Sequence, residues 1–125
     1  MVRKVKISEN QLIVDAVIDS MKSKKAKEIT VIDFRQMHHS VCDFFVICQA
    51  ANSPQAEAII DAVVYNLRFT PGIHPIGVEG RQNAEWILLD YASVVVHVFQ
   101  EKAHQFYRLE ELWSDALVTT ISESE

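Results

Sequence analysis

The stretch "EWILLDYASVVVHVF", Glu85–Phe99, decides how this chain folds. Two apolar runs, Trp86–Tyr91 and Val94–Phe99, flank Ala92 and Ser93, which predicts two antiparallel strands joined by a tight turn. Side chains alternate along a strand, so Trp86, Leu88 and Asp90 share one face while Ile87, Leu89 and Tyr91 share the other. A strand that is apolar on both faces needs cover on both. Any cover that is missing leaves apolar surface open to a partner.

Working outward, "EITVIDF" (Glu28–Phe34) and "DFFVICQ" (Asp43–Gln49) are short β-branched and aromatic runs that read as buried strands. A further short strand is expected over Ile76–Glu79, before Gly80 and a polar loop. "SENQ" from Ser8 is a capping box that opens a helix to about Ser23, with Leu12, Ile13, Ala16, Val17 and Met21 inward. "NSPQ" offers Ser53 as N-cap and Pro54 as the first residue of a second helix. That helix buries Ala56, Ile59, Ile60, Val63, Val64 and Leu67. In "EKAHQFYRLEELWSDAL" the spacing of Phe106, Leu109, Trp113 and Ala116 predicts a third helix. The order α-β-β-α-β-β-β-α is that of one α/β domain, residues 1–125, with a mixed five-stranded sheet and three helices. Five strands at about 4.8 Å spacing form a sheet wider than three helices of about 10 Å can cover on both faces. Exposed apolar sheet is the expectation, and such patches usually mark binding sites.

The hydrophobic content of 49% is that of a globular protein, and no apolar run approaches the length of a membrane span. A cytoplasmic protein is expected. Residues 1–27 hold seven basic and three acidic side chains, and the remainder is strongly acidic, giving a net charge of −5 for the whole chain. Such a domain has no means of gripping nucleic-acid phosphates, so its natural macromolecular partner is a basic protein. "KSKKAK" reads as cations at a helix C-terminus, where the dipole favours them. Cys42 and Cys48 lie in or beside one strand, where buried, reduced thiols are expected.

Catalytic chemistry has little support. "HHSVC" supplies His38, His39 and Cys42, but no second cluster completes a tetrahedral zinc site. Asp90, His97 and His104 could suggest a triad, yet no nucleophile elbow surrounds Ser93, so a structural histidine and a turn-serving aspartate are preferred. The three glycines, Gly72, Gly77 and Gly80, form no phosphate loop, so no cofactor is expected. The aromatic residues Trp86, Tyr91, Phe106, Tyr107 and Trp113 instead concentrate in the last third of the chain, where they could serve core or interface.

"DFFVIC", "NSPQAEAI", "EG" at Glu79–Gly80, "EWILLDY", "VVVHVF" and "FYRLEELWSDA" stand in the order and spacing of the ribosomal silencing factor family, also called Iojap-related. The chain resembles that family from Asn10 to Ala116. The resemblance implies a nucleotidyltransferase-like topology without the activity, and a translational repressor that docks on large-subunit ribosomal protein fourteen and blocks subunit joining. It also implies that Trp86, Leu88, Asp90, Tyr91 and His97 form or support the interface, followed by Phe106 and Tyr107. A large-subunit assembly factor, a small enzyme using Asp90 and His97, and a homodimer built on the open sheet face are the alternatives. Three positions depart from the family pattern. Ala92–Ser93 replaces a Gly-Asp turn, His104–Gln105 stands where an Arg commonly precedes the "FY" pair, and Ala84–Glu85 replaces a Gly before Trp86.

Overall fold

A computed structural model describes residues 9–37, 42–70, 72–113 and 115–122, without the Phe106 side chain. The elements are α1 (Glu9–Ser23), β1 (Lys27–Asp33), β2 (Phe44–Ala50), α2 (Ser53–Leu67), β3 (Gly77–Glu79), β4 (Trp86–Asp90), β5 (Val94–Gln100), α3 (Glu101–Tyr107), α4 (Leu109–Leu112) and β6 (Leu117–Thr120). The strands form one mixed sheet in the order β3-β4-β5-β2-β1-β6. Its central pair, β2 with β5, is parallel, and the other pairings are antiparallel. The parallel pair requires the long crossover through α2, β3 and β4.

Helices α1 and α2 cover one face. Ile13, Val17 and Met21 of α1 and Ala56, Ile59, Ile60, Val63 and Leu67 of α2 join Val46, Cys48, Ile87, Leu89, Val96 and Val98 in the larger core. This core follows the helical spacing, though Ala16 and Val64 are only half-buried at its margin. Leu12 is exposed and Val14 takes the inward place. The N-cap of α2 is Asn52, whose side chain accepts from Gln55 N, so Ser53 already lies within the helix. The Ser8 capping box and the His38–His39 pair lie outside the described residues.

The opposite face carries a smaller core of Ile32, Phe34, Cys42, Phe45, Ile47, Phe99 and Leu109. Here the expected single third helix is corrected. Arg108 takes the left-handed conformation (φ 43°) and ends α3. One further turn, α4, follows, and the chain then returns as a sixth strand, β6, against β1. The apolar spacing still identified the inward side chains: Leu109 is buried, and Trp113 packs edge-on against Phe34 and Phe45 at 5.4 and 5.2 Å. Both cysteines are free and buried, and burial pushes the Cys42 thiol up to about 11 and Cys48 higher still. Among the described residues no helix is long and apolar enough to cross a membrane.

Candidate interaction surface

The strand register arranges the second face in rows. One row runs Gly77, Asp90, Val95, Phe45, Ile32 and Val118, and the next runs Glu79, Leu88, His97, Ile47, Thr30 and Thr120. A third row runs Trp86, Phe99, Gln49 and Lys27. With only seven and four residues, α3 and α4 are too short to reach across all six strands. Their cover lies over β5, β2 and β1, and among the described residues the β3–β4 end is left partly exposed. Leu88 is half-buried and belongs to neither core, and Trp86 and Val95 are half-buried at the margin of the smaller one. Tyr107, 45% exposed, leans on Trp86 with 4.8 Å between ring centroids. Glu79 and Asp90 stand in the same rows, so an apolar strip is edged by carboxylates.

Trp86 is anchored from below. Its ring stacks on Phe99 at 4.9 Å, and its Nε1–H donates to His97 Nδ1 at 3.1 Å. One edge of the indole is therefore fixed while the other meets solvent, the arrangement of an amphipathic aromatic anchor. The loop before it is built on Gly80, whose φ of +92° lets the backbone pass against the Trp86 carbonyl. Ala84, buried with φ +57°, closes that loop through a hydrogen bond from its N–H to Gly80 O at 2.9 Å.

His97 is 3% exposed and supports Trp86 from beneath the surface. Because Nδ1 accepts from the indole, the ring proton sits on Nε2, which has no partner among the described residues. Burial pulls this imidazole down to about 4, opposed by the Glu110 carboxylate. The unfolded chain takes up a proton near pH ~6.5, so folding stability is full above that pH and falls as the pH drops toward about 4. The loss should reach up to about 3 kcal/mol. Denaturant titrations from pH 7 to pH 4 should show this slope, reduced in His97→Phe. Equal slopes in both proteins would contradict the assignment.

The triad-like grouping does not assemble. Asp90 stands opposite Val95, not His97, and its Oδ1 accepts from Ala92 N at 2.7 Å, serving the turn. Ala92 takes φ +72°, which explains why a glycine suits this position and why the aspartate's hydrogen bond matters here. The ring nitrogens of His104 meet Gln49 Oε1 at 2.8 Å and Glu110 Oε2 at 2.7 Å, tying α3 to β2 and α4. Tyr91 is 8% exposed and belongs to the larger core on the helix-covered side, with its hydroxyl pushed up to about 12 by burial. Its ring is thus not part of the open strip. The Phe106 side chain lies outside the described residues. Among the described residues no group of three or more His, Cys, Asp or Glu is placed to hold a metal ion. Two members of the strip, Val95 and Glu79, are not among the interface residues expected from the sequence. The alternation of Val95, His97 and Phe99 along β5 was the available signal for Val95.

Comparison with known proteins places this chain in a family. A Halalkalibacterium halodurans protein named ribosomal silencing factor RsfS is 32% identical over 86% of this chain and 90% of its own length. A Chromobacterium violaceum crystal structure superposes with a TM-score of 0.78 at 28% identity, covering 85% of this chain and 87% of that one. A mouse protein named mitochondrial assembly of ribosomal large subunit protein 1 is 24% identical over 81% of this chain but only 45% of its own length. Residues 7–125 match the family described as ribosomal silencing factor during starvation, and the chain belongs to that family.

Proposed function

We propose that this protein represses translation by seating its open β3–β4 face on the large ribosomal subunit, on the basic ribosomal protein fourteen, where its bulk blocks the small subunit. The observation that carries this reading is the half-exposed strip of Trp86, Leu88, Val95 and Tyr107 edged by Glu79 and Asp90. An apolar centre with a charged rim is the anatomy of a specific protein interface, and an acidic rim favours a basic partner. No bond is made or broken in this mechanism. Asp90 and His97 do not converge, and each has a structural use.

Trp86→Ala should weaken co-sedimentation with purified large subunits by about 1–3 kcal/mol, the range of an aromatic hot spot. Because Trp86 also satisfies His97 Nδ1, the same variant should lose some stability, so binding is compared well below both melting temperatures. A folded variant that sediments with large subunits as well as wild type would exclude Trp86 from the interface.

A second reading, assembly of the large subunit, is favoured by the name of the mouse relative. The two separate in cells. An assembly factor leaves immature large subunits on depletion in rich medium, whereas a repressor leaves mature subunits and alters their joining under starvation.

A further inference from the structure

We propose that β6 is a docking edge for an extended, basic segment of another protein, which adds to the sheet as a seventh strand. β6 is the outermost strand of its side and pairs with β1 through Thr30↔Thr120, Val31↔Thr119, Ile32↔Val118 and Asp33↔Leu117. All four of its residues are exposed, Leu117 at 67% and Val118 at 39%. Leu117 and Thr119 point to one face and Val118 and Thr120 to the other, so among the described residues the strand is exposed on both faces and unpaired along its outer edge.

Proteins usually blunt such edges with shortness, charge, proline or a bulge. The opposite edge does so: β3 has three residues, one of them Glu79. β6 is also short, at four residues, but "LVTT" carries no charge and no proline and is largely β-branched. An edge of this composition is a template for strand addition, with the backbone supplying affinity and the flanks supplying selection.

Charge selects the occupant. Asp115 precedes the strand, and Glu123 and Glu125 follow it in the sequence. A second copy would set one chain of net charge −5 against another of the same sign, which disfavours self-association. A segment with Lys or Arg on both sides of a β-branched centre reverses that sign. At the start of β6 a cavity of about 360 Å³, lined by Asp33, Gln36, Met37, Asp115, Ala116 and Leu117, offers room for one such side chain. Asp33 is engaged by Arg35, so Asp115 is the carboxylate that would meet it. This edge lies at the far end of the sheet from β3–β4, so the inference is independent of the docking face proposed above.

The test uses a fluorescent peptide with a Val-Thr-Val-Thr centre and Lys-Arg flanks, titrated into the full chain by anisotropy. Saturable binding is expected. N-methylation of alternate residues should weaken it about tenfold or more, because backbone donors are lost while charge is kept. Leu117→Lys, at an exposed position, should weaken it similarly, while Trp86→Ala should leave it unchanged. Absence of saturable binding would overturn the proposal, as would equal affinity for the N-methylated peptide. A dimer of the chain that Leu117→Lys dissolves would also overturn it, by making a second copy the occupant.

Discussion

Leu88→Asp is expected to weaken association with the large ribosomal subunit by about 3 kcal/mol, roughly a hundredfold or more, while moving the melting temperature little. In the free protein Leu88 is half-buried, belongs to neither core and stands between Glu79 and His97 in its row. A carboxylate there stays hydrated, and its main penalty is repulsion from Glu79, a few tenths to about 1 kcal/mol. In the complex the same group would lie at the centre of the contact, stripped of water. Sedimentation binding at moderate salt, paired with a thermal melt, separates the two effects. The sign of the change also discriminates between mechanisms. If docking were a matter of charge alone, an added acid facing a basic partner would tighten binding, and that result would discard the apolar centre.

Gly80→Val should act through the fold. At φ +92° a β-branched residue is strained, and an added Cβ would run into the Trp86 carbonyl, lying 3.1 Å from its carbon and 3.3 Å from Ile87 Cα. Trp86 and Ile87 are held by pairing with β5, so this backbone has little room to yield. A destabilisation of about 3 kcal/mol or more is expected, enough to lower Tm by about 10 °C in a domain of this size. Trp86 should be displaced with the loop, so its fluorescence shifts and ribosome binding falls with stability. Gly80→Ala should show the same changes at smaller size. A valine variant with unaltered Tm would mean that the 80–85 loop does not hold Trp86 as described.

Much of this architecture was legible because the decisive signals are local. The alternation in Trp86–Asp90 fixed which side chains share a face, and the 3.6-residue spacing of Ala56 to Leu67 fixed the buried side of α2. The end of the chain was less legible. Leu109, Trp113 and Ala116 keep a helical spacing, yet a residue without glycine's freedom, Arg108, breaks the helix at φ 43°. The inward positions survived that break but the helix did not, and β6 forms from Leu117 and the three residues beyond the expected helix. At the surface, the expectation that helices could not cover the sheet located an open face without saying which end of it. Strand order decides that, and order depends on the parallel β2–β5 pairing, a contact between residues far apart in sequence. Tyr91 illustrates the remaining difficulty. It ends an interface-like strand, yet it turns to the helical side and joins the core.

If a half-exposed apolar strip edged with acid acts by occlusion, subunit joining is the step it must inhibit. Large and small subunits are mixed with and without the protein and resolved on a sucrose gradient. Fewer joined ribosomes are expected, with the protein migrating on free large subunits, and recovery of joining with Leu88→Asp. Undiminished joining with the protein bound, or the protein found on joined ribosomes, would contradict it.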